Sequence, residues 1–275
     1  MCKYDTLNFD IIDGVGIVVL NRPNQANGLN RVMAAELSSL ADKVAEDTSV
    51  RSVVLTGSGR FFCAGGDVKA MAGFGSKIGC EIKLLAGDLH RAILTFSRMN
   101  APIIMAVNGI AAGAGFGLAM SGDYVIASHS ASFTMAYSNV GLSPDGGATY
   151  FLPRLVGLRR TQELMYENRT LNATEALEWG IATRTVPEED LMSTALGCAS
   201  KIANGSSMSH ANIKRLLAGT FDASLEEQLA LESDYISACA ASLNGKEGIN
   251  AFLEKRQPDY AKGNVEFAGM VTENG

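Results

Sequence analysis

Short apolar runs, two of them leading into glycine-rich turns, leave this chain few ways to fold. Ile103-Ile104-Met105-Ala106-Val107 carries no polar residue on either face. As a strand it must be buried on both sides, which calls for a parallel sheet covered by helices. Val53-Val54-Leu55 and Tyr124-Val125-Ile126-Ala127 read the same way, and helix-like segments alternate with all three. That alternation predicts an α/β fold with a largely parallel sheet. Ahead of it, residues 6–21 read as two short strands around Asp13-Gly14, a dipeptide suited to a tight hairpin. The loop 22–28 is dense in turn formers, and residues 31–46 have the composition and spacing of a helix. After about residue 187 the chain turns almost wholly helical. Ser224-Leu225-Glu226-Glu227 has the pattern of a capping box, and a last helical segment, 245–256, precedes a polar tail. We therefore expect a core over residues 1–190, a helical layer over 191–258 and a flexible tail over 259–275.

Of the 275 residues, 47% are hydrophobic and 19% charged, which suits a compact domain with a large core and excludes a fibrous or disordered chain. The net charge of -6, with no cluster of Lys and Arg, argues against a nucleic-acid partner. The cysteines Cys2, Cys63, Cys80, Cys198 and Cys239 are odd in number, scattered, and form no C-x-x-C pair. They suggest neither zinc nor a redox centre, and fit a reducing cytosol. The opening residues lack a basic region followed by an apolar run, and no stretch is long enough to span a bilayer. We expect a cytoplasmic protein without a membrane partner.

Two turns stand out as candidate chemistry. Phe62-Cys63-Ala64-Gly65-Gly66-Asp67 follows the strand at 53–56, and a run over 108–117, with Gly109, Gly113, Gly115 and Gly117, follows the strand at 103–107. Both expose backbone N–H groups, and two such groups converging on one point form an oxyanion hole. Either turn alone equally serves tight backbone geometry. The second is no dinucleotide loop, because the G-x-G-x-x-G spacing is missing. Asp145, in Ser143-Pro144-Asp145-Gly146-Gly147, stands before a helical stretch. It is either an N-cap or, in largely apolar surroundings, a carboxylate able to take a proton from carbon. His90 lies on the flank of the helical stripe Ile82, Leu85, Leu89, Ile93 and Phe96, facing either a cleft or solvent. His129 and His210 have no carboxylate or cysteine at ligand spacing, so no metal site is assigned.

The turn at 62–67, Ala106-Val107-Asn108-Gly109 with its glycine-rich continuation, and Gly141-Leu142-Ser143-Pro144-Asp145-Gly146-Gly147 resemble, in order and separation, motifs of the enoyl-CoA hydratase/isomerase (crotonase) superfamily. Ala176-Leu177-Glu178-Trp179-Gly180 and the segment 246–256 match as well, so the resemblance covers nearly the whole chain. It implies a crotonase-like spiral of ββα turns with a C-terminal helical trimerisation region, assembled as a homotrimer or a dimer of trimers. It also implies an acyl-CoA thioester substrate and no cofactor beyond the coenzyme A moiety. By the same resemblance the main-chain N–H groups of Gly66 and Ala114 bind the thioester oxygen, with alanine at 114 where the family usually has glycine. Ala64, Asp67 and Arg22, with Phe252 and Lys255 at the nucleotide end, border coenzyme A. Tyr137, Gly117 and Phe116 border the acyl group.

True hydratases resemble this chain but carry two glutamates, at the positions of Gly117 and Tyr137, and neither residue here replaces them. Hydration needs groups that hold water, deprotonate it and return a proton to carbon. The Ser-Pro-Asp-Gly-Gly context instead resembles the Δ3,Δ2-enoyl-CoA isomerases and the ring-1,2-epoxyphenylacetyl-CoA isomerase group, which implies one carboxylate, Asp145, acting as base. On that reading the His90 side chain is dispensable. A second resemblance, to 4-chlorobenzoyl-CoA dehalogenase, would employ Asp145 and His90 together, although that family has Trp at the position of Tyr137 and Asn at that of Pro144. Non-catalytic acyl-CoA-binding or RNA-binding relatives form the alternative of another class.

Overall fold

The computed structural model of the chain describes residues 4–273; Cys2 and the last two residues lie outside them. β1 (Leu7–Ile12) and β2 (Val15–Leu20) pair antiparallel with Ile12 opposite Val15. Only Asp13 and Gly14 separate them, both at positive φ, 51° and 80°. This is the two-residue turn whose twist matches a hairpin. α1 (Arg31–Glu46) follows, N-capped by the Asn30 side chain, which accepts from the Met33 amide at 2.9 Å. It buries Met33, Leu37, Leu40 and Val44 along one face. β3 (Ser52–Gly57) then lies parallel to β2.

From β3 onward one unit repeats: a strand in this first sheet, a short strand in a second sheet, then helix. The first turn continues through β4 (Phe61–Cys63), α2 (Val68–Ala72) and α3 (Ile78–Arg98). The second is β5 (Ile103–Val107), β6 (Ile110–Ala112) and α4 (Ala114–Met120). The third is β7 (Tyr124–Ser128), β8 (Ser132–Thr134), α5 (Ala148–Val156) and α6 (Leu158–Glu167). β9 (Leu171–Asn172), α7 (Ala173–Glu178) and β10 (Arg184–Val186) complete both sheets, ordered β1-β2-β3-β5-β7-β10 and β4-β6-β8-β9. In the second sheet Cys63 pairs with Ala111 and Ala112 with Thr134, all parallel. The chain therefore leaves β4, β6 and β8 side by side at one end of that sheet, and the three turns that follow are neighbours in space.

Leu20, Leu55, Phe62, Phe96 and Phe133 belong to one large core that joins the sheets to α1 and α3. On the other face of the first sheet, Val54, Ile104, Ala106 and Ile126 meet Leu191, Ala195 and Ala199 of α8 (Leu191–Ala203). Both faces of the apolar strands are thus covered, as their sequences require. The turn to helix near residue 190 marks a change of layer, and α8 belongs to the sheet it covers.

α9 (Ser207–Gly219), α10 (Leu225–Ala241) and α11 (Leu243–Glu254) follow, and the Ser224–Glu227 capping box opens α10. Lys214 of α9 fastens this layer to the core: its Nζ donates to the carbonyls of Phe96 (2.7 Å) and Ala101 (3.3 Å) and to Asp123 (2.7 Å). The stretch expected to be a tail carries α12 (Ala261–Glu273). The Asn264 side chain docks it, accepting from the Ser207 amide and donating to the Gly205 carbonyl, each at 3.0 Å. α10 buries no residue and leaves Leu225, Leu229 and Ile236 exposed. Among the described residues, no helix is long and apolar enough to cross a membrane, and Cys63, Cys80, Cys198 and Cys239 are free thiols.

Candidate active site

The turns leaving β4, β6 and β8 bring Gly66, Ala114 and Tyr137 to the same end of the second sheet. Gly65 turns the chain at φ 85°, and a Cβ there would lie 2.7 Å from the Ala112 carbonyl and 3.4 Å from the Ala114 nitrogen. Only glycine allows the first two turns to pack this closely. Gly66 forms an isolated parallel bridge with Leu29. The bonds of that bridge run from Leu29 N–H to the Gly65 carbonyl (2.7 Å) and from Asp67 N–H to the Leu29 carbonyl (2.9 Å). Because neighbouring peptides alternate in direction along extended chain, the Gly66 N–H faces away from Leu29. Ala114 heads α4, where the first amides have no intrahelical acceptor, while Phe116 and Gly117 both donate to the Gly113 carbonyl at 3.0 and 3.1 Å. The methyl end of Met71 lies over Gly66 and gives this corner an apolar cover.

Asp145 is not the N-cap of the helix after it; Gly147 holds that place. Its half-buried carboxylate accepts a hydrogen bond from the Tyr137 hydroxyl at 2.5 Å. Burial, and then the negative charge of Asp145, push the Tyr137 phenol well above its ordinary range, so it stays a neutral donor. The Tyr137 ring lies against Gly113, 3.7 Å from where a Cβ would sit. The residue after Asp145 reaches Ala114: a Cβ on Gly146 would be 3.4 Å from the Ala114 carbonyl oxygen. Carboxylate, phenol and the Gly113-Ala114 turn are therefore contiguous. Cys63 lies beneath them, fully buried, its thiol pushed by burial up to about 12 and thus unreactive.

Gly117 has no space for any side chain. A Cβ would approach the Gly146 carbonyl oxygen to 2.4 Å. Phe116 does not border an opening; its ring is fully buried and tilts against Phe133 at a centroid distance of 5.2 Å. His90 is exposed on α3, and its Nε2 accepts from the Gly146 amide at 3.1 Å. Arg22 and Asp67 pair with each other at 2.9 Å, and the same guanidinium donates to the Gly28 carbonyl. Burial raises the Asp67 carboxyl, but the Ala70 amide, the Arg22 guanidinium and the Lys69 amide outweigh it and hold the group below its usual range. The pair braces the loop 22–28 against the Gly66 turn, while Ala64 adds an amide bond to the Ala26 carbonyl at 3.0 Å. Phe252 and Lys255 lie at the end of α11, which packs on α10 and α12, and Phe252 is 83% exposed.

Such an arrangement has two main-chain N–H groups, of Gly66 and Ala114, with no main-chain acceptor among the described bonds, one held carboxylate and an apolar cover. It can stabilise a developing oxyanion and move a proton beside it.

Comparison with known proteins gives the lineage of this site. A family model described as enoyl-CoA hydratase/isomerase matches residues 10–263. The chain is 38% identical over 251 residues to 1,2-epoxyphenylacetyl-CoA isomerase of Escherichia coli (strain K12), covering 90% of this chain and 95% of the relative. It is 35% identical over 248 residues to carnitinyl-CoA dehydratase of Proteus mirabilis (strain HI4320), covering 88% and 93% respectively. A crystal structure of an enoyl-CoA hydratase from Bacillus anthracis superposes with a TM-score of 0.88 at 31% identity, over 92% of this chain and 98% of that one. The two stacked sheets, the repeating ββα turn and these matches lead to one conclusion: the chain is an enzyme of the enoyl-CoA hydratase/isomerase family with the crotonase fold.

Proposed function

We propose that this enzyme is an acyl-CoA isomerase that moves a double bond, converting a 3-enoyl-CoA to a 2-enoyl-CoA or carrying out a related ring isomerisation. The thioester carbonyl oxygen accepts from the N–H groups of Gly66 and Ala114. Asp145 takes a proton from C2, and the electron pair of the broken C–H bond moves into the carbonyl, giving a dienolate. The two amides stabilise the oxygen as its charge grows, which is what makes so weak a carbon acid reactive. Asp145 then returns the proton at C4 while the electron pair re-forms the thioester carbonyl and the double bond settles next to it. One proton is taken and one returned, and no cofactor is required beyond the coenzyme A moiety of the substrate. Tyr137 orients the carboxylate by donating to it.

The observation that carries this reading is the Asp145 carboxylate held by Tyr137 close to Ala114, with Gly117 and Tyr137 standing at the positions where hydratases carry their two glutamates. The wall at Gly117 supports it further, because a second acidic side chain has no room there. The name of the Escherichia coli relative points the same way, whereas other relatives are named for hydration or dehydration. We extend the proposal to a cytoplasmic homotrimer or dimer of trimers, in which the exposed apolar residues of α10 and α11 meet a second copy. Incubating purified protein separately with 3-enoyl-CoA, 2-enoyl-CoA and chlorobenzoyl-CoA tests the chemistry. The proposal expects a conjugated thioester from the first, seen by its ultraviolet absorbance, and loss of that activity in Asp145→Ala. Rapid formation of 3-hydroxyacyl-CoA from the second would favour a hydratase, chloride from the third a dehalogenase, and no turnover of any a binding protein.

A further inference from the structure

Asp145 is followed by two glycines, both in the left-handed region, Gly146 at φ 61° and Gly147 at φ 74°. Glycine has little conformational preference of its own, so whatever fixes this backbone must come from its surroundings. Three groups surround Gly146. Its carbonyl abuts the Cα of Gly117, and its own Cα faces Ala114. Its N–H, with no backbone acceptor among the described bonds, is taken by Nε2 of His90 at 3.1 Å. The helix bearing His90 is itself immobilised: Leu85, Leu89, Ile93 and Phe96 are buried in the core, and Leu89 Cδ2 lies 3.7 Å from the Cβ position of Gly146. A ring nitrogen that accepts an N–H does so through its lone pair, so Nε2 serves here as the acceptor for this amide.

We infer that His90 is a positioning residue for Asp145: it supplies the acceptor that fixes the Gly146 peptide and so aims the carboxylate, without itself exchanging protons with substrate. The inference rests on Asp145 being the group that carries the proton. Asp145 is then held from two directions, its carboxylate by Tyr137 and its following peptide by His90. This makes the His90 side chain consequential for isomerisation, where the sequence left it dispensable. The binding of coenzyme A does not pass through this bond, so its loss acts on turnover and leaves substrate affinity almost untouched.

The test compares wild type with His90→Leu, His90→Gln and Asp145→Asn in the 3-enoyl-CoA assay. Melting temperatures are followed in parallel, together with hydrogen exchange of peptides covering 141–150. His90→Leu should lower kcat by about tenfold or more, with KM changed by less than about twofold, because a misaimed group loses rate and not binding. The same variant should speed exchange around Gly146. His90→Gln, whose carbonyl can accept the same N–H, should recover to within about threefold of wild type and restore slow exchange. Wild-type kcat and exchange in His90→Leu would overturn the inference. So would a His90→Gln as slow as His90→Leu with exchange restored, since the imidazole would then be acting in the chemistry itself. Full activity in Asp145→Asn would instead remove the base reading, and with it this one, so the two failures are told apart.

Discussion

Replacing Gly117 by alanine adds one methyl group where there is no room for it. The new Cβ would lie 2.4 Å from the Gly146 carbonyl oxygen and 3.0 Å from its carbonyl carbon. Both are backbone atoms, and Gly117 is itself buried within α4, so no side-chain rotation relieves the contact. To reach an ordinary separation the Gly146 segment must retreat by about 1 Å, since interiors are close-packed and yield by moving whole segments. Asp145 is the adjoining residue and moves with it. A displacement of about 1 Å at a reacting group costs on the order of 10²-fold in rate, or about 2.7 kcal/mol of barrier. Overpacking should also lower stability by about 1–3 kcal/mol, a fall of several degrees in melting temperature for a chain of this size. The assay is steady-state conversion of 3-enoyl-CoA to its conjugated product, with melting curves beside it. We expect kcat to fall while KM holds. Wild-type kcat in a Gly117→Ala protein of near-native stability would refute the reasoning, because Asp145 would then not depend on the packing at Gly146. Glutamate at 117 meets the same wall, so Gly117→Glu should lose isomerase activity without gaining hydration.

Tyr137→Phe removes the donor to Asp145. A hydrogen bond to a charged group is worth about 1.5–3 kcal/mol, so kcat should drop roughly 10- to 100-fold. The raised phenol also predicts that the wild-type pH–rate profile has no tyrosine ionisation below about pH 10, the ordinary value; an alkaline limb that disappears in Tyr137→Phe would contradict this. Asp67, held below its usual range, stabilises the fold above the unfolded carboxyl value of about 3.9 and loses that contribution as pH falls through the lower folded value. Asp67→Asn should therefore melt below wild type at neutral pH and converge with it in acid, as read from melting temperature against pH. Lys214→Ala leaves Asp123 without its counter-ion and should cost about 3 kcal/mol, measurable by denaturant unfolding, with catalysis of the folded enzyme unchanged.

Where a local rule decides the conformation, the residues announce it. Asp13-Gly14 specifies its hairpin, the apolar strands at 53–55 and 103–107 demand cover on both faces, and Ser224 with Glu227 opens α10. The second sheet is less legible. β4, β6 and β8 are three residues each, too short for a periodic signal, and two of them adjoin glycine-rich turns. Only their pairing register reveals that the Gly66, Ala114 and Tyr137 turns stand side by side. α4 is buried on every side, so no stripe tells Phe116 in the core from a residue at an opening. α12 falls in the stretch read as a tail, and its docking through Asn264 depends on α9, over fifty residues away in sequence. The His90–Gly146 bond likewise links residues 56 positions apart. Long-range contacts of this kind leave no trace in spacing.

Label transfer within a single turnover examines the proton's route. With 3-enoyl-CoA deuterated at C2, in ordinary water, one carboxylate serving both carbons should deliver a measurable share of the deuterium to C4 of the product, and Asp145→Asn should yield almost no product. Turnover in Asp145→Asn at the wild-type rate would contradict the account.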